Sequence, residues 1–144
     1  MKNTIFKYRI IGIIILVFQL LLFLFFGFGT YRSFSEISTE RVFSTENFIF
    51  LFTLTVFISA FLSLTAFYKR RKVILYLNIN YILVLSFFIF EYIKFMIETS
   101  FEEVDVLILF LIFSITSPFL LMTNIFKNKK VQFLELEDIG KHKD

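Results

Sequence analysis

The sequence predicts an all-α membrane protein, an antiparallel bundle of four transmembrane helices with both termini in the cytoplasm. Four apolar runs, Ile10–Phe28, Phe48–Phe67, Val73–Phe90 and Val106–Phe126, are each about 18 residues or longer, the length that crosses hydrocarbon as a helix. The hydrophobic fraction is 58% and the mean hydropathy +0.80, leaving no polar stripe with which a helix would face water. Basic residues gather on alternate connections: Lys2, Lys7 and Arg9 before the first run, Lys69, Arg70, Arg71 and Lys72 between the second and third, and five lysines after the fourth. The other side holds Arg32, Arg41 and Lys94. By the positive-inside rule the first set is cytoplasmic.

Each span must be helical, because lipid offers no partner for backbone N–H and C=O groups and four strands are too few to close a barrel. The first span is expected over residues 10–29. It follows three basic residues and ends in Gly27-Phe28-Gly29, which resembles a signal-peptide cleavage site, but about 19 apolar residues exceed the 7–15 of a signal core, so an uncleaved span is expected. The outer connection from Thr30 to Glu46 is expected either to lie on the membrane surface, anchored by Phe34, Ile37 and Phe43, or to be irregular. Ser44-Thr45 marks the start of the second span, expected over 47–68.

The four-residue basic turn makes the second and third helices antiparallel neighbours, with the third expected over 73–96. Glu98 to Asp105 contains four acids and no base, consistent with an outer segment. Within it Ser100-Phe101-Glu102-Glu103 has capping-box spacing ahead of the fourth span, expected over 104–126. Tyr8 and Tyr68 fall at the inner boundary and Tyr31 and Tyr92 at the outer one, where amphipathic rings sit. Residues 1–130 thus form the membrane domain and 131–144 a cytoplasmic tail. In that tail Phe133, Leu134 and Leu136 are candidates for docking on membrane or on a partner. The basic groups Lys69, Arg70, Arg71, Lys72, Lys127, Lys129 and Lys130 suit anionic headgroups.

Few polar side chains enter the spans, and depth decides what each is for. Glu91 lies about 27 Å along the third helix, at its outer edge, with Lys94 one turn on; an interfacial ion pair is expected. Gln19 lies about 14 Å into the first helix, near the midplane, where its amide needs a partner. Ser114, Ser117 and Pro118 sit at similar depth in the fourth; Pro118 removes one backbone hydrogen bond, and the two hydroxyls are placed to repair it. Thr55, Ser59 and Ser63 recur every fourth residue, a small-residue face for close helix packing. Asn78 and Asn80 lie on different faces of the third helix, and at least one should face protein.

Reactive chemistry is scarce. The sequence has no cysteine, its one histidine, His142, lies in the tail, and its aspartates are Asp105, Asp138 and Asp144. This composition offers no intramembrane aspartate pair, serine–histidine dyad, zinc site or haem ligand pair. No cofactor, metal or catalysis is expected. The net charge of +3 is distributed around the spans, so the partners expected are the lipid bilayer and another integral membrane protein or further copies of the chain, with no nucleic acid. The functional expectation is an accessory or scaffold subunit of a bacterial inner-membrane complex. A small oligomeric transporter, channel or holin-like pore is the alternative, and it requires a polar path continuous from side to side.

Overall fold

The structure, a computed structural model, describes residues 5–37, 39, 42–98 and 103–128. Its described residues form four helices, α1 (Arg9–Ser35), α2 (Thr45–Lys69), α3 (Val73–Glu98) and α4 (Glu103–Ile125). The first three are long and apolar enough to cross a membrane, whereas the apolar stretch described in α4, Leu109–Ile125, is shorter. Burial within the protein accounts for only 17%, 28% and 39% of the apolar windows of α1, α2 and α3. The remaining apolar surface suits hydrocarbon rather than water.

Local chemistry explains the helix ends. α1 continues through Thr30–Ser35 beyond its apolar run. The Thr30 hydroxyl donates to the Phe26 carbonyl at 2.7 Å, and Arg32 lies 3.6 Å from Glu36 one turn on; both fit the helical spacing that an irregular loop would lose. Ser44 caps α2, accepting the Asn47 N–H at 3.2 Å, which satisfies one of the amides a helix start leaves without a partner. At the other end Arg70 adopts a left-handed conformation with φ 53° and Lys72 another with φ 51°. Those two residues reverse the chain within the basic turn. The start of α4 at Glu103 is described, whereas the rest of its expected capping box, Ser100 to Glu102, lies outside the described residues.

α1 packs on α2, α2 on α3 and α3 on α4, while α1 and α4 meet only sparsely. The α1–α2 approach is close at Gly27, where an added Cβ would stand 3.0 Å from the Phe57 ring. The meeting of α1 with α4 concentrates at one end. There Phe18 stacks on Phe119 with centroids 3.8 Å apart, and Tyr8 meets Phe126 edge-on at 6.1 Å. Beyond them the Lys7 N–H donates to the Phe126 carbonyl at 2.9 Å and the Asn128 N–H to the Ile5 carbonyl at 3.0 Å, forming an isolated antiparallel bridge. Phe6, buried in this bridge, also contacts Phe67 near the end of α2.

The core is divided by chemistry. Toward the end opposite the basic turn it is rich in phenylalanine, alongside Leu22 and Thr53: Phe26 meets Phe87 and Phe88 edge-on, and Phe52 packs on Phe87 and Phe90. Such ring pairs add directional attraction to their burial. Toward the basic turn the buried side chains include Gln19, Ser59, Ser63, Asn80 and Thr123.

Candidate functional site

The polar core is built around carboxamides. Gln19, fully buried on α1, donates from Nε2 to the Ala60 carbonyl of α2 at 3.4 Å. Its Oε1 accepts from Asn80 Nδ2 of α3 at 3.2 Å. One carboxamide therefore ties three helices, which follows from the cost of leaving an amide unpaired in a medium without water. Asn80 Oδ1 is buried with no hydrogen-bond partner among the described residues. Tyr81 beside it is fully buried.

A second pair joins α3 to α4. Asn78 Nδ2 donates to Asn124 Oδ1 at 3.0 Å, and Asn124 Nδ2 donates back to Asn78 Oδ1 at 2.8 Å. Asn124 Nδ2 also donates to the Leu120 carbonyl of its own helix at 2.9 Å. Between α2 and α3, Ser63 Oγ stands 2.9 Å from the Ser59 carbonyl and 3.0 Å from the Tyr76 carbonyl; with one proton it serves them alternately. Each helix-to-helix contact in the sequence order α2–α3–α4 therefore carries a hydrogen bond, and Gln19 fastens α1 to both α2 and α3 in the core.

The residues singled out from sequence are distributed unevenly over this arrangement. Gln19, Ser59 and Ser63 are buried among helices. Thr55 is exposed and its hydroxyl donates to its own helix at the Leu51 carbonyl, 2.8 Å away; it borders an apolar groove with Phe48, Leu51, Phe52 and Leu83. Ser114 and Pro118 are exposed and Ser117 is half-buried. Glu91 and Lys94 are half-buried one turn apart near the far end of α3, well away from the amides. Lys69, Arg70, Arg71 and Lys72 are exposed on the turn and Lys127 is half-buried. Lys129, Lys130, Phe133, Leu134 and Leu136 lie outside the described residues.

Sequence reasoning did not single out Asn124, Thr116 or Thr123, all of which the bundle uses: Thr116 and Thr123 are buried and Asn124 pairs with Asn78. The signal for Asn124 was depth, since it stands near the end of α4 as Asn78 does near the start of α3, both toward the basic turn. A larger groove of about 350 Å³ runs between α3 and α4, lined by Phe88, Tyr92, Val106, Leu109 and Phe113 among others. It is apolar. Among the described residues no three His, Cys, Asp or Glu side chains come together as a metal set.

Amides, hydroxyls and phenyl rings arranged in this way hold helices in a fixed order. Comparison with protein-family models, with curated proteins and with solved structures finds no match for this chain. Three of the helices have the length and apolarity of a small integral membrane protein's spans, and their apolar surface suits contact with a lipid bilayer.

Proposed function

We propose that this chain is a non-catalytic accessory or scaffold subunit of a bacterial inner-membrane complex, a four-span antiparallel bundle with both ends in the cytoplasm. The observation that carries the reading is that the intramembrane amides pair within the bundle: Gln19 with Asn80 and the Ala60 carbonyl, and Asn78 with Asn124. Groups spent on internal helix order leave the exposed apolar faces as the surface that does the work. The orientation is supported by the bridge of Ile5–Lys7 with Phe126–Asn128 and by the Phe6–Phe67 contact. Together these bring both flanking segments to the end that carries the basic turn.

A small oligomeric transporter, channel or holin-like pore is the weaker reading, since each copy would have to contribute a polar path. Gln19, Asn78, Ser114 and Glu91 do not converge, since Ser114 is exposed and Gln19 and Asn78 have separate partners. Phe26, Phe87 and Phe88 are buried in the half of the core away from the basic turn, with Phe52 packed against them.

A tagged copy purified from membranes in mild detergent, with co-purifying proteins identified by mass spectrometry, tests the proposal. Recovery in fixed ratio with a larger membrane complex is expected. A lone homo-oligomer that dissipates ion gradients in liposomes would instead establish the pore. Glu91→Gln should leave assembly and function intact, and loss of function with assembly preserved would reject the scaffold.

A further inference from the structure

α4 carries two seams, and the bundle uses only one. Leu109, Ile112, Thr116, Phe119 and Thr123 face the other helices, buried or half-buried. Leu107, Leu111, Ser114, Pro118, Leu121 and Ile125 alternate at spacings of four and three on the opposite side, and all six are exposed. That is the seven-residue repeat by which one helix packs along another in a left-handed pair. Its centre is small, which lets a second backbone approach.

The centre is also incomplete as a hydrogen-bonding unit. Pro118 has no N–H to give to the carbonyl of Ser114 four residues earlier. Neither Ser114 nor Ser117 supplies a substitute, because neither hydroxyl makes a hydrogen bond among the described residues. By contrast the hydroxyls of Thr55, Thr65, Ser86 and Thr123 all bond back to their own helices. Ser114 therefore presents an acceptor and a donor together on an exposed face at the depth of the hydrocarbon, where unmet backbone groups are costly.

We propose that this face binds a second copy of the same chain, as a parallel α4–α4 pair about a two-fold axis through Ser114. Copies inserted in one orientation bring each position of α4 beside its own equivalent. A residue with an unbonded hydroxyl and a carbonyl that lacks its usual helical donor is then complementary to itself, each Ser114 hydroxyl donating to the partner's Ser114 carbonyl. Leu107, Leu111, Leu121 and Ile125 pack on either side. This pairing goes beyond the scaffold reading, and its readout is self-association alone.

The absence of native cysteines makes the test clean. Single variants Ser114→Cys and Leu121→Cys, oxidised in native membranes, should give disulfide-linked dimers, while Ile58→Cys, exposed on α2, should not. Pro118→Ala restores the missing N–H, and in the Leu121→Cys background it should weaken dimerisation about tenfold, equivalent to about 1.4 kcal/mol. Ser114→Ala should act in the same direction. Cross-linking that is absent at Ser114→Cys and Leu121→Cys, equal at Ile58→Cys, or directed only to a different protein would overturn the proposal. So would a dimer unchanged by both Pro118→Ala and Ser114→Ala.

Discussion

An amide in hydrocarbon has no solvent to fall back on, so Gln19 and Asn80 constrain each other more than their single hydrogen bond suggests. Gln19→Leu strands the Asn80 amide in the core and should cost about 1–3 kcal/mol. The double variant Gln19→Leu/Asn80→Leu should cost less than the sum of the two single changes, because both unmet groups leave together. Unfolding titrations in mixed detergent micelles measure this coupling; strict additivity would mean that the amides act independently. Two glycines of α1 offer a second contrast. Gly29 faces open space, so Gly29→Ala should raise thermal stability by up to about 1 kcal/mol through helix propensity. Gly27→Leu drives a branched side chain into the Phe57 ring and should destabilise the α1–α2 contact. At this scale the sequence was only partly legible. The polar residues stood out, but which would be buried did not, because spans apolar on every side give periodicity nothing to point with. Ser59 and Thr55 share a small-residue pattern, yet one is buried and the other exposed. The pairing of Asn78 with Asn124 is tertiary information.

Among the elements, the turn between α2 and α3 shows charge set against backbone preference. The left-handed position that ends a helix is usually glycine, and here Arg70 occupies it with φ 53°. Arg70→Gly should stabilise the isolated bundle by up to about 1 kcal/mol. Orientation should be unchanged, since Lys69, Arg71 and Lys72 remain; a fusion reporter and a thermal melt read the two effects separately. Ser59→Leu tests α2 as a packing element. Ser59 is 7% exposed, and the larger side chain should separate α2 from its neighbours and reduce recovery of folded protein from the membrane. Helix positions were legible because length and apolarity set them directly, and Ser44 announced the start of α2. The continuation of α1 through Ser35 was not legible, because a helix leaving the hydrocarbon no longer needs apolar residues to persist.

For the molecule as a whole, the proposed orientation is set by where positive charge stops translocation, and the cysteine-free background makes it measurable. Arg71→Cys should react with a membrane-impermeant thiol reagent only after the cytoplasmic face is opened, and Thr39→Cys without opening. The reverse pattern would invert the topology. The number of helices and the order of charges along the chain were readable in advance; the division of the core into phenylalanine at one end and amides at the other was not, since it arises from which faces meet. The backbone bridge between Ile5–Lys7 and Phe126–Asn128 has a consequence for biogenesis. Synthesis is vectorial, so the Ile5–Lys7 segment must wait until all four helices have been made before its partner exists. Until then the bridge around Phe6 is open, and the first two helices are held by lipid and by each other. Closure of this clasp thus comes after the four helices it joins, and a nascent chain arrested before Phe126 should remain protease-sensitive around Lys7 while its earlier spans are already inserted.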